Sequence, residues 1–235
     1  MKIALSILSI IALFSIFVVK YLWAHEPQFW KYGVATGDVV FNLSVGYISA
    51  FIFYVIDVWI PRKKEQERIN NRIAVPLSRI LHNIHEPIIN IHNKASSESY
   101  QFDKITKEKL KEWLGSINLI TDEGPLYLMD IQKNATFGQY LFNHVKLVNE
   151  YIDKINKLPV GLDIGLVELL DKIQASAYHE GMNSVQKYIG FVSSSNAHIQ
   201  GEIFSESLYE YYGLYFELKN YMKKNKIQIT IKDLP

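Results

Sequence analysis

Three histidines and one glutamate carry the most reactive side chains of this sequence, and they lie close together: His82, His85, Glu86 and His92. On a helix, a spacing of four residues brings His82 and Glu86 into reach of each other. Imidazole and carboxylate groups are ordinary zinc ligands. The order H-x-x-H-E differs from the H-E-x-x-H of metalloproteases, and Pro87 follows directly. His82, His85 and Glu86 are therefore candidate metal ligands, and histidines packed on the flank of a helix are the alternative.

Other signs of chemistry are missing from the sequence. The chain has no cysteine, which excludes disulfides and thiol chemistry. It has no glycine-rich phosphate loop and no nucleophile elbow. With 25 cations against 24 anions, it gives no electrostatic argument for nucleic acid. We therefore predict no catalytic residue, no cofactor and no nucleic-acid partner, and whether the chain is an enzyme stays open, with a non-enzymatic role favoured.

A long apolar run precedes the helix that carries these histidines. It extends over residues 39–60 and ends at Pro61 and the cations Arg62, Lys63 and Lys64. Its length suits a helix that crosses the hydrocarbon core of a bilayer. Cations at one end hold that end in the cytoplasm, and together with Arg68 they can contact anionic lipids. The sequence predicts a membrane span here.

The first apolar run, over residues 3–23, allows two interpretations. It is either a second span or a signal peptide cleaved after Ala24, and Leu22 and Trp23 make a poor cleavage motif. With two spans, residues 1–60 form a transmembrane hairpin with the N-terminus and the C-terminal body in the cytoplasm. The expected location is then the bacterial inner membrane, as a multi-pass protein.

Three small or polar residues line one face of the second span. Asn42, Gly46 and Ala50 follow each other at intervals of four residues. Gly-x-x-x-Ala allows close helix contact in lipid, and an asparagine can hydrogen-bond across a helix pair. This face is expected to pack within the hairpin or between copies in a homo-oligomer.

The remaining residues predict a helical body. Isoleucines and leucines recur at helical spacing from Ile69 to Ile91, and Pro76 and Pro87 are expected to break this helix. We predict a basic, proline-broken stalk over residues 61–95 and a cytoplasmic domain over residues 96–235. The fold class is all-α: two transmembrane helices followed by an irregular bundle of four to five helices.

Three local features of the body complete these expectations. Asp103 is expected to cap a short helix, and residues 227–231 alternate like a strand without a partner, which predicts an extended tail. In the last helix, Tyr209 and Tyr212 lie off the apolar stripe and are the expected partner surface.

Two stretches of the chain resemble uncharacterised small bacterial membrane proteins. They are FIFYVIDVWIPRKK at residues 51–64 and LYEYYGLYFELKNYMKK at residues 208–224. That resemblance implies an N-terminal two-helix hairpin and a cytoplasmic helical domain, and it implies no activity.

The function expected from the sequence is a membrane-anchored cytoplasmic helical module for protein interaction. Its expected partners are the lipid bilayer, a second copy of the chain and a cytoplasmic protein whose identity the sequence does not give. The alternative is a channel-like or membrane-perturbing effector that acts through an oligomerised hairpin.

Overall fold

The computed structural model describes residues 2–22, 33–97, 99–130, 132–159, 161–191 and 198–231. Helices account for most of these residues. The chain divides into two compact units, Met1–Arg68 and Ile69–Pro235. The cleavage position proposed after Ala24 lies outside the described residues.

Two helices form the first unit. Helix α1 covers Lys2–Phe17 and continues as a π-helical turn, and α2 covers Gly33–Phe53 and continues as a π-helical segment through Trp59. The two helices pack together: the Tyr47 hydroxyl donates to the Leu5 carbonyl at 3.1 Å. Small buried residues on α2, Gly37 and Ser44, permit this approach.

One helix among the described residues is long and apolar enough to cross a membrane, the helix that runs from Gly33 through Ala95. The apolar helix before it, Leu5–Tyr21, is shorter. Of the two predicted spans, the second therefore has the length and composition of a membrane span, and the described part of the first does not.

Helix α3 covers Ile60–Ala95 and passes through both prolines without interruption. The expected breaks at Pro76 and Pro87 do not occur. Each proline removes one backbone donor and costs about 3 kcal/mol in a helix interior. Tertiary packing outweighs this cost, because the whole predicted apolar stripe is buried. The stripe consists of Ile69, Ile73, Leu77, Ile80, Ile84, Ile88 and Ile91.

The rest of the second unit packs around α3 as a helical bundle. Short 3₁₀ turns at Phe102–Lys104 and Gly201–Phe204 precede helices in the chain. The remaining elements are α4 (Lys107–Gly115), β1 (Glu123–Leu128), β2 (Lys133–Thr136), α5 (Phe137–Asn156), α6 (Ile164–Gln174), α7 (Ala177–Phe191) and α8 (Ser205–Lys224).

Strands β1 and β2 pair antiparallel as a hairpin, so the all-α prediction is wrong at this point. Leu128 pairs with Lys133, and Gln132 in the turn has a φ of 51°. Gly124 allows the hairpin to lie against α5, because a Cβ there would meet the Tyr140 Cβ at 2.7 Å. Gly124 and Pro125 interrupt the apolar pattern of β1, so the sequence gives a weak strand signal here.

Two other local expectations concern the start of α4 and residues 227–231. Thr106, and not Asp103, caps the short helix α4, since its side chain accepts a hydrogen bond from the Lys109 N–H. Residues 227–231 form no strand. They lie against α3, where the Thr230 N–H donates to Ser78 Oγ at 2.9 Å.

Candidate functional site

The four reactive side chains on α3 separate into two groups. His82 Nε2 lies 2.6 Å from Glu86 Oε2, and both side chains keep about a third of their surface exposed (35% and 39%). His85 and His92 are buried, with exposed fractions of 5% and 4%. The structure therefore brings together His82 and Glu86 and leaves His85 in a different environment.

A polar seam between α3 and α5 lies beside this pair. Asn83 Oδ1 contacts His144 Nδ1 at 2.9 Å, and Asn90 Nδ2 donates to the Tyr140 hydroxyl at 2.7 Å. The Tyr140 ring meets the His144 ring edge-on, with 4.7 Å between centroids. Buried side chains of this kind need such partners to offset their lost hydration. The seam thus positions α5 on α3 through specific hydrogen bonds.

The seam is held in its uncharged state. Burial, and to a smaller extent the neighbouring charge of His82, lower the pKa of His144 to about 4. Burial raises the pKa of Tyr140, and the Glu86 carboxylate adds to this effect. At neutral pH, His144 and Tyr140 are therefore neutral hydrogen-bonding groups and are not poised for proton transfer.

His85 belongs to an aromatic cluster formed by α3, the first 3₁₀ turn and α8. Its ring meets Phe102 edge-on at 4.3 Å, and Tyr215 lies 6.1 Å away. The Tyr212 hydroxyl donates to the Phe102 carbonyl, which fixes the turn to α8. Burial, then the charges of His82 and Lys219, lower the pKa of His85 to about 4. This histidine is a packing residue of the core.

Another buried polar group lies between α7 and α8. His179 Nε2 contacts the Tyr211 hydroxyl at 2.9 Å, and Tyr178 stacks on Tyr211 at 5.0 Å. Burial lowers the pKa of His179 to about 4. We did not predict this group, because a single histidine on an apolar helix gives no signal of its partner.

Metal binding finds little support in this arrangement. No group of three or more histidine, aspartate or glutamate side chains converges within the part of the chain that the structure describes. His82 and Glu86 supply two ligands, whereas protein zinc sites use three or four.

The tyrosines predicted as a partner surface differ in exposure. Tyr209 is 38% exposed, while Tyr212 is 5% exposed and lies in the aromatic cluster. A more exposed apolar surface lies on the β-hairpin, where Tyr127 is 54% and Met129 is 82% exposed. We name Tyr127 and Met129 the hairpin patch.

In the first unit, the predicted packing residues lie on a free face of α2. Asn42, Gly46 and Ala50 are all exposed, and a Cβ added at Gly46 would meet nothing within 4 Å. The contact with α1 uses another face of α2, which contains Ser44 and Tyr47. The structure therefore does not place the Asn42 face inside the helix pair.

The predicted lipid-contacting cations are also exposed: Arg62, Lys63, Lys64 and Arg68. Lys63 Nζ lies 5.7 Å from the centroid of the Trp59 ring. Arg68 lies 3.7 Å from Glu65, an exposed ion pair that contributes little energy.

Comparison with family models, with curated proteins and with solved structures gives no match for this chain.

Proposed function

We propose that this chain is a membrane-anchored module for protein interaction. The observation that carries the proposal is the hairpin patch: Tyr127 is 54% exposed, and Met129, at 82%, is the most exposed large apolar side chain among the described residues of the body. Exposed apolar surface is unfavourable in water, and tyrosine and methionine are enriched at protein interfaces. The partner that fits this surface is a protein with an apolar depression of its own.

The proposed anchor is the hairpin of α1 and α2. Support comes from the side chains on α2, where Leu43 is 69% and Phe53 is 64% exposed. The exposed cations after Trp59 suit the cytoplasmic side. The proposal therefore has both apolar helices in a bacterial inner membrane, with the N-terminus and the body in the cytoplasm.

Site-specific crosslinking tests the interaction. A photo-reactive residue replaces Met129 in the full chain, and a control replaces Glu112, an exposed residue of α4. We expect a crosslinked product in membranes from position 129 and none from position 112. Its mass separates a foreign protein from a second copy, which would appear at twice 27.2 kDa. Equal products from both positions, or none from either, would reject the proposed surface.

The absence of cysteine makes the topology directly measurable. A single cysteine is introduced at Lys31, between the apolar helices, or at Lys187, which is exposed in the body. A membrane-impermeant maleimide should label position 31 in intact cells and should label position 187 only after lysis. Labelling of position 187 in intact cells would contradict the proposed orientation.

A second function is favoured by the free face of α2. Asn42 is an amide on an exposed face of an apolar helix, and an unpaired amide is costly in lipid. Two copies can satisfy it reciprocally while Gly46 and Ala50 allow close approach. An oligomer of this kind is the basis for the alternative, a channel-like effector.

Membrane-potential measurements separate the two functions. Under the alternative, overproduction of the chain depolarises cells, and Gly46→Leu abolishes the effect because the helices can no longer approach closely. Val45→Leu is the matched control, since it adds bulk next to Gly46 at a side chain that is 40% exposed. The alternative fails if the wild-type chain leaves the potential unchanged.

A further inference from the structure

A small polar cavity lies between the end of α3 and the start of α4. Its volume is about 160 Å³. His92 and Trp113 line it from the core side, and both are more than nine-tenths buried. Gln101, Lys104 and Lys109 line it from the surface side. The cavity thus combines an aromatic floor with a rim of hydrogen-bond donors.

The charge of this rim is one-sided. Two ammonium groups and an amide supply donors, and none of the described lining residues is acidic. Asp103 and Glu108 are close in sequence. The charge of Asp103 acts on tyrosines of the aromatic cluster, and Glu108 is held by its own backbone N–H and by Thr106.

The lysines of this segment divide into two pairs. Lys107 contacts Glu206, and Lys111 contacts Glu202, so this pair is neutralised by acidic residues that follow α7. Neither Lys104 nor Lys109 has an ion-pair partner among the described residues, and these are the two that line the cavity. Two cations that line the same concave polar surface favour an anion there.

We propose that this cavity binds a phosphate monoester group. A phosphate monoester carries a charge of about −1.5 to −2 at neutral pH, which two ammonium groups match, and its oxygens accept several hydrogen bonds at once. Lys104 and Lys109 would supply the charge, and the Gln101 amide would donate a further hydrogen bond. The site is independent of the hairpin patch and of the membrane anchor.

The test measures phosphate binding to the full chain in nanodiscs of zwitterionic lipid. Glycerol phosphate is titrated by calorimetry at constant ionic strength. We expect saturable binding that the variant Lys104→Gln/Lys109→Gln weakens by about tenfold or more, because charged hydrogen bonds are lost. The matched control, Lys107→Gln/Lys111→Gln, changes the net charge equally on the same segment and should leave the affinity within about twofold.

Two outcomes would overturn the proposal. Equal weakening in both double variants would mean non-specific attraction, and absence of saturable binding to the wild-type chain would mean that no site exists. All four lysines are exposed or half-exposed, and circular dichroism verifies that both variants fold.

Discs that contain phosphatidic acid distinguish the two sources of the phosphate group. Competition with glycerol phosphate in these discs identifies a lipid headgroup as a ligand of the same site. An unchanged titration identifies a soluble phosphate ester as the ligand. In both cases the variant Lys104→Gln/Lys109→Gln should still bind the phosphate group more weakly than the wild-type chain does.

Discussion

In Met1–Arg68 the large apolar side chains lie on the outside, whereas in Ile69–Pro235 most of them fill the inside. Among the described residues of the first unit, Ala12 is the one buried apolar side chain. The second unit buries a continuous cluster that reaches from Ile69 to Ile227. This difference agrees with the proposed surroundings of the two units, lipid for the first and water for the second. An inside-out arrangement is stable in lipid, and a closed core is stable in water.

Acid should distinguish the two units most strongly. The three buried histidines His85, His144 and His179 have pKa values lowered from 6.5 to about 4. Below pH 6.5 the unfolded chain binds protons at these positions while the folded body does not. The free energy of unfolding therefore falls as the pH drops from about 6.5 to about 4, on the order of 3 kcal/mol for each histidine.

Denaturant unfolding of the full chain in detergent micelles, monitored by near-ultraviolet circular dichroism, measures this loss. The variant His85→Phe removes one titrating group and keeps an aromatic ring beside Phe102. Its stability should depend less steeply on pH than that of the wild-type chain. An unchanged slope would mean that His85 does not contribute.

A leucine-to-alanine pair tests the comparison with one kind of substitution. Leu81 on α3 has an exposed fraction of 0%, and Leu43 on α2 has one of 69%. Leu81→Ala leaves a cavity and should lower the free energy of unfolding by about 2–5 kcal/mol. Leu43→Ala should change it by less than about 0.5 kcal/mol. Similar losses in the two variants, measured in the same micelles, would remove the distinction between the units.

A glycine pair sharpens the comparison at the backbone. A Cβ at Gly138 would meet the Leu119 carbonyl oxygen at 2.8 Å and a Val185 methyl group at 3.0 Å. We expect Gly138→Ala to destabilise the body by about 1–3 kcal/mol. Gly46→Ala meets no neighbour and should leave thermal unfolding unchanged. Destabilisation by Gly46→Ala in nanodiscs would instead reveal a second helix on that face.

The smallest expected effect concerns the start of α5. Thr136 forms a capping box, in which its hydroxyl accepts from the Gln139 N–H and the Gln139 side chain accepts from the Thr136 N–H. Thr136→Ala should cost about 1 kcal/mol in urea unfolding, and Thr136→Ser should restore most of it. A loss retained in the serine variant would assign the effect to the threonine methyl group.

Much of the helical body is predictable because its signals are local. The stripe from Ile69 to Ile91 follows the helical period, and all seven of its positions are buried. The effects of proline are local as well, and they predicted breaks at Pro76 and Pro87. Packing of the stripe against other helices keeps α3 continuous at both positions.

The candidate site shows the same division. Contact between His82 and Glu86 follows from their spacing on one helix. Contacts that join α3 to α5 cannot be read from spacing: Asn83 meets His144 across 61 residues, and Asn90 meets Tyr140 across 50. The hairpin patch was not predicted because both strands are short. In addition, β1 contains Gly124 and Pro125, which are unfavourable in strands.

The extended segment after α8 has a consequence for the order in which the body forms. Asn70 donates to the Asn225 carbonyl oxygen, and Ser78 accepts from the Thr230 N–H, across 155 and 152 residues. During synthesis, the start of α3 therefore leaves the ribosome long before the residues that complete its surroundings. Until then the start of α3 lacks these two hydrogen-bond partners, and apolar side chains that the folded body buries there, Ile69 and Ile73, favour aggregation while they are exposed.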